Sequence, residues 1–258
     1  ETKGSAKGWT YDDAERTITV TITDDGTGKL TASVDGNNPV ITNRYEAGTV
    51  TVGEASGNAL KVTKKVEGRD SAEDYTFTLT PDAGNPEGTI KAPVTKNTTG
   101  TIAAGASQEV AFGDIEFTKA GVFNFKVKET NTAPSGWTYD NTEKAITVTV
   151  TDDGNGNLTA EVTGNNPVVT NSYKSETVTL GEATGNSLSV TKKVEGRDAK
   201  ELFAFTLTPD ANNPADGTTL TSEVTKVTKG EIKDGATQAV TFGDATFTKA
   251  GTYKFTGK

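Results

Sequence analysis

Apolar and polar residues alternate along most of this chain with a period of two, and helical periodicity is nearly absent. Ile18, Val20 and Ile22 interleave with Thr17, Thr19, Thr21 and Thr23, which predicts a half-buried strand with one face toward a core. Asp24-Asp25-Gly26-Thr27-Gly28 then predicts a turn into Leu30, Ala32 and Val34, the second arm of a hairpin. Further strands are predicted at Leu60 to Val66, at Tyr75, Phe77 and Leu79, and at Phe123, Phe125 and Val127. The strand of Tyr75 stops at Thr80-Pro81-Asp82, because proline has no N–H to give to a ladder.

The pattern then returns. Trp9 and Trp137 stand 128 positions apart, as do Asn43 and Asn171, and Lys64 and Lys192. Ile146, Val148 and Val150, the hairpin from Asp152 to Val162, Phe203, Phe205 and Leu207, and Tyr253 with Phe255 are the later copies. Phe112 and Phe242 are 130 apart, so the stretch after Pro81 differs in length between copies, as surface loops do. Short strands between turn signals predict an all-β fold of tandem immunoglobulin-like β-sandwich modules. Glycine, glutamate and small residues mark boundaries between Tyr45 and Leu60 and between Tyr173 and Leu188. Residues 1–45 then form the C-terminal part of one module, 46–173 a complete module and 174–258 the N-terminal part of a further one. The connectors, such as Thr49-Val50-Thr51-Val52-Gly53, carry valines able to pair as extra strands, so stiff joints are expected.

Composition narrows the chemistry. The hydrophobic fraction of 32% suits thin sandwiches with solvated faces. A net charge of −9 disfavours nucleic acid and anionic membranes as partners. Without cysteine or histidine, ordinary zinc, haem and iron–sulfur sites, thiol nucleophiles and Ser/His triads are excluded. No cofactor is expected. Carboxylate, hydroxyl and amine chemistry remain, in a chain compatible with an extracellular setting and showing no membrane-spanning run.

Three polar residues fall on the apolar parity of their own strands. Lys64 shares a face with Leu60, Val62 and Val66; Glu129 with Phe123, Phe125 and Val127; Asn171 with Val169 and Tyr173. Their copies are Lys192, Glu1 and Asn43. A lone buried lysine or glutamate costs several kcal/mol unless neutralised or paired. An apolar environment disfavours both charges, so a neutral amine can face a protonated carboxyl. Such an amine can attack the asparagine carboxamide while the carboxyl polarises it and moves protons as ammonia leaves. The product is an isopeptide bond, formed once by the protein on itself. An ordinary buried ion pair with a hydrogen-bonded asparagine is the plainer alternative for the same residues.

Several segments resemble the intramolecular isopeptide domains of Gram-positive backbone pilins and repetitive surface adhesins. They are Thr63 to Arg69, Tyr75 to Leu79, Phe117 to Gly121, Phe125 to Glu129, Gly136 to Asp140 and Thr170 to Tyr173, in the expected order over nearly all of one module. The resemblance implies that Lys64 is the nucleophile, Asn171 the acceptor and Glu129 the catalytic acid, with lysine on the first strand and asparagine on the last. Tension entering one strand would then leave through the other.

The expected function is a structural stalk or fibre segment of a cell-wall-anchored surface protein, outside the cell, and not an enzyme acting on a separate substrate. Alternatives are a sortase-polymerised backbone pilin and a ligand-binding adhesin with a concave site between Asp82 and Gly113. Neighbouring copies of the repeat are the expected partners, with the cell wall reached through other regions. The segments carrying Glu1 and Asn43, and Lys192, would together compose one more module. Either they belong to a longer array, or the tail of one chain completes the head of the next. The Asp-Asp-Gly turns lack the ligand spacing of an EF-hand and are read as hairpin turns rather than calcium sites. Trp9 and Trp137 are expected to anchor strand starts or line the bond, with sugar stacking as the alternative.

Overall fold

The computed structural model describes residues 1–258, built from β-strands with a single 3₁₀ turn at Glu182–Thr184. No helix is long and apolar enough to cross a membrane. By packing, the chain divides into two compact units, Glu1–Ser172 and Tyr173–Lys258.

The first unit opens with β1 (Trp9–Thr10), β2 (Thr19–Asp24), β3 (Leu30–Asp35) and β4 (Arg44–Tyr45), where β1 pairs with β4 and β2 with β3, both antiparallel. Then follow β5 (Val50–Val52), β6 (Lys61–Glu67), β7 (Thr76–Pro81), β8 (Val94–Asn97), β9 (Ser107–Ala111) and β10 (Ile115–Phe117). β11 (Gly121–Glu129), β12 (Trp137–Thr138), β13 (Lys144–Asp152), β14 (Leu158–Thr163) and β15 (Val168–Tyr173) complete it. Two sheets, β14-β13-β11-β7-β8 and β12-β15-β6-β9, enclose one core with side chains from both. The alternation in sequence explains the sandwich. Along β11, Phe123, Phe125, Val127 and Glu129 are buried while Asn124, Lys126 and Lys128 face water. Each fully buried Phe, Leu or Val contributes about 1.5–3 kcal/mol. β6 and β15 lie side by side in parallel, with Val169 opposite Lys64 and Asn171 opposite Val66. The connector valines of β5 pair with β10, so the joint is a strand and not a loose tether.

The front hairpin departs from the sequence expectation. β2 and β3 form with the predicted residues, but their apolar face is uncovered: Val20 is 58% exposed and Ile22 55%, where the later copies Val148 and Val150 are buried. Alternation sets which side chains share a face, and only a second sheet buries that face. Segment 1–45 attaches at the far end of β13 and β14. Glu46 N–H donates to Gly8 O (2.8 Å), Gly48 N–H to Gly156 O (2.9 Å), and the Tyr45 hydroxyl donates to Asp152 Oδ1 (2.7 Å). Gly8 and Gly156 both have positive φ, and a Cβ on Gly8 would lie 2.5 Å from the Tyr45 ring.

The second unit holds β16 (Val178–Leu180), β17 (Ser189–Lys193), β18 (Ala204–Pro209), β19 (Val224–Val227), β20 (Thr237–Thr241), β21 (Ala245–Phe247) and β22 (Phe255–Gly257). β16 pairs with β21, β17 with β20, and β18 lies between β19 and β22. Val194, Leu207, Ile232, Val240, Phe242, Ala245 and Phe247 are buried, while Phe203, Phe205 and Phe255 remain partly open.

Candidate functional site

The pleat turns Lys64, Glu129 and Asn171 inward, and their side chains meet in the core. Lys64 and Asn171 are fully buried and Glu129 nearly so. Lys64 Nζ donates to Glu129 Oε2 at 2.7 Å, and Asn171 Nδ2 donates to Glu129 Oε1 at 2.6 Å. One carboxyl group therefore bridges an amine on the module's first long strand and a carboxamide on its last.

The surroundings weaken the hold of the amine on its proton. Burial pulls the Lys64 amine below the ordinary lysine value, opposed by its hydrogen bond to Glu129 and by the nearby carboxylates of Glu129, Asp140 and Glu73. Two aromatic rings enclose the amine: the Tyr75 ring centroid lies 4.2 Å from Nζ and that of Tyr139 at 5.6 Å. Burial pushes both phenols up, so they stay neutral; the Tyr139 hydroxyl also donates a short hydrogen bond to Glu73. Tyr75 is held by Ser71 Oγ at 2.7 Å, and Asn131 Nδ2 donates to Glu73 Oε1 at 2.9 Å. Trp137 packs edge-on against Tyr139 at 6.2 Å and so braces the wall of the site.

Sequence parity gave no sign of one further group. The backbone N–H of Asp140 donates to Asn171 Oδ1 at 3.1 Å, which polarises the carboxamide at the oxygen where charge would develop. A backbone donor leaves no residue-type signal. Tyr75 was legible only as an apolar-parity residue of its strand, and Tyr139 only as part of the Gly136 to Asp140 segment.

The copied residues are divided between the two units. Asn43 Nδ2 donates to Glu1 Oε1 at 2.8 Å in the first, and Asp12 N–H donates to Asn43 Oδ1 at 3.0 Å. Lys192 lies in the second, with Nζ 4.1 Å from the centroid of the Phe203 ring. Asp25 and Asp153 spend their carboxylate oxygens on their own turns, accepting from Thr27 N–H (2.8 Å) and Asn155 N–H (2.7 Å). Trp9 is largely exposed and packs on Tyr45 at 5.4 Å.

An all-β protein with a lysine, a glutamate and an asparagine in mutual contact inside a sandwich is the class that this fold and geometry define. The sequence profile of the Spy0128-like isopeptide containing domain, FctA, matches residues 1–46, 60–174 and 188–258. The chain belongs to that family. No curated protein matches it. Among solved structures, the major pilin from Streptococcus pyogenes is 21% identical, with 78% of this chain and 82% of that chain covered, at a TM-score of 0.35. The T-13 major pilin from the same organism is 17% identical over 82% and 83% of the two chains, at 0.35. The T3.2 pilin is 16% identical over 82% and 84%, at 0.32.

Proposed function

We propose that this chain is a load-bearing segment of an extracellular surface fibre, organised as 1–45, 46–173 and 174–258, in which the complete module locks itself with an amide bond between Lys64 and Asn171. The observation that carries the reading is the buried Glu129 carboxyl, hydrogen-bonded at once to the Lys64 amine and the Asn171 carboxamide.

The chemistry follows from those contacts. A proton passes from the Lys64 ammonium to Glu129, leaving a neutral amine and a neutral acid in a water-poor core. The Nζ lone pair attacks Asn171 Cγ, and the charge developing on Oδ1 is met by the Asp140 N–H. Glu129 gives its proton to Nδ2 and takes one from Nζ. The Cγ–Nδ2 bond breaks, ammonia leaves, and Glu129 ends protonated beside the new amide. Every atom is accounted for without cofactor or second substrate. Folding supplies the proximity, which can take roughly 7–11 kcal/mol off the barrier of such a reaction.

The mechanical consequence comes from topology. β6 and β15 are parallel neighbours, so a pull on the start of one and the end of the other loads them in shear. A bond between Lys64 and Asn171 carries that load directly and removes the 107 positions separating them from the extensible path. Intact-mass measurement tests the reading. The protein is expected to be one ammonia lighter than its sequence, with a branched peptide joining Lys64 to Asn171 after digestion. A full-mass protein with free side chains at both positions refutes it.

A further inference from the structure

We infer that Asn155 is a site of spontaneous, backbone-assisted deamidation guarded by the hydroxyl of Tyr45, and that opening of the joint between segment 1–45 and the complete module releases the reaction.

Asn155-Gly156 is the only place in the chain where glycine follows asparagine. The pairing matters because the backbone nitrogen that attacks an asparagine carboxamide, closing an imide ring, belongs to the next residue, and glycine puts no Cβ in its way. The matching turn of the first hairpin has Thr27 before Gly28, a hydroxyl in place of the carboxamide, so it lacks the electrophile. Asn155 is exposed in the turn between β13 and β14, where water reaches it.

The joint itself dictates glycine at position 156. The φ there is +85°, and a Cβ would lie 3.1 Å from Gly8 N and 3.3 Å from Gly8 Cα. Gly156 O also accepts from Gly48 N–H at 2.9 Å. The residue that lets the two segments approach so closely therefore leaves the carboxamide before it unshielded.

In the docked joint the reacting groups are all engaged elsewhere. Gly156 N–H, which carries the attacking nitrogen, donates to the Tyr45 hydroxyl oxygen at 3.1 Å. Asn155 N–H donates to Asp153 Oδ1 at 2.7 Å and Asn155 Nδ2 to Asp153 O at 3.2 Å, which folds the side chain back over the turn. Tyr45 gives its own proton to Asp152 Oδ1 at 2.7 Å. That bond pushes the phenol up, so its oxygen stays neutral and accepts from Gly156. Attack requires the Gly156 nitrogen to shed its proton, and the hydrogen bond to Tyr45 must first be broken. Once Tyr45 lifts away, that N–H faces water, which removes the proton.

The reaction consumes one water and releases one ammonia. The Gly156 nitrogen bonds to Asn155 Cγ, the Cγ–Nδ2 bond breaks, and Nδ2 leaves as ammonia with a proton taken from water. Water then opens the imide at either carbonyl. One product is aspartate at position 155; in the other, isoaspartate, the backbone runs through Cβ. The extra backbone carbon moves Gly156, so that its N–H and C=O no longer meet Tyr45 and Gly48 together. Both products add a carboxylate beside Asp152 and Asp153. The change is one-way, so a joint held open is left permanently looser.

The test is peptide mapping of the 258-residue chain after weeks at neutral pH in water labelled with heavy oxygen, which marks every imide that opens. A synthetic peptide of residues 150–160 supplies the unguarded rate. The folded chain is expected to deamidate at Asn155 more slowly than the peptide. Tyr45→Phe, which removes only the hydroxyl, and Gly8→Val, which displaces the joint, should each speed the reaction by about two- to tenfold, the range that one hydrogen bond spans. The melting of the complete module should be unchanged in both. A folded chain that reacts as fast as the peptide overturns the inference. So do equal rates in the parent and both variants, an increase that comes only with a lower melting temperature, and no heavy oxygen at Asn155 in any of them.

Discussion

Asn171→Ala deletes the acceptor while leaving Lys64 and Glu129 paired at 2.7 Å, so it isolates the contribution of the cross-link. Treated as a chain-entropy constraint like a disulfide, closure of the 107-position separation stabilises the module by about 4–5 kcal/mol. With unfolding entropy of roughly 2.1 cal/mol/K per residue over the module of about 128 residues, that loss lowers Tm by about 15–20 °C. Glu129→Ala also prevents the bond and in addition strands the Lys64 amine in the core. An uncompensated buried charge costs about 3–5 kcal/mol, less whatever the amine recovers by shedding its proton. The expected order of melting temperature is therefore unsubstituted, then Asn171→Ala, then Glu129→Ala, with both variants at their full sequence mass and the unsubstituted protein one ammonia below its own. Calorimetry and intact mass on the same samples check it. Asn171→Ala melting within a few degrees of the parent, or no difference in ammonia content, would refute the reasoning.

Under force, the complete module should not lengthen, whereas Asn171→Ala should release about 350–390 Å of chain on unfolding, a length read by single-molecule extension. In Asn171→Ala the Lys64 amine still titrates, and its folded value lies below the ordinary 10.5. The unfolded state then binds more protons in the window between the folded value and 10.5, so stability should rise as pH climbs through that window, and Lys64→Met in the same background should flatten the slope in urea melts. Gly8→Val places a branched side chain where a Cβ would already touch Tyr45 at 2.5 Å, at a φ of +81°. Amide exchange at Glu46 and Gly156 should quicken by an order of magnitude or more, with the melting of the complete module unchanged.

How much was legible in the sequence depends on the range of the interaction. The pleat is a local property, so a single strand revealed that Lys64, Glu129 and Asn171 would point inward with the apolar residues beside them. The hairpin at β13 and β14 was equally readable, because Asp152-Asp153-Gly154 sets the turn within a few residues. The burial of β2 was expected on the same grounds and did not follow, since alternation gives a strand two faces without supplying a sheet to cover one of them.

What the amino-acid order determined by itself was the period-two strands, the 128-residue repetition and the choice of which polar side chains enter a core. Tertiary structure decided that β6 and β15 run parallel as neighbours, that one Glu129 carboxyl reaches both partners, that the Asp140 N–H meets the carboxamide, and that Tyr45 fastens segment 1–45 to Asp152. Those contacts join residues tens of positions apart, and each depends on how distant strands pair and pack. No short stretch of sequence contains that information, because the energy that selects one pairing over another belongs to the closed sandwich as a whole.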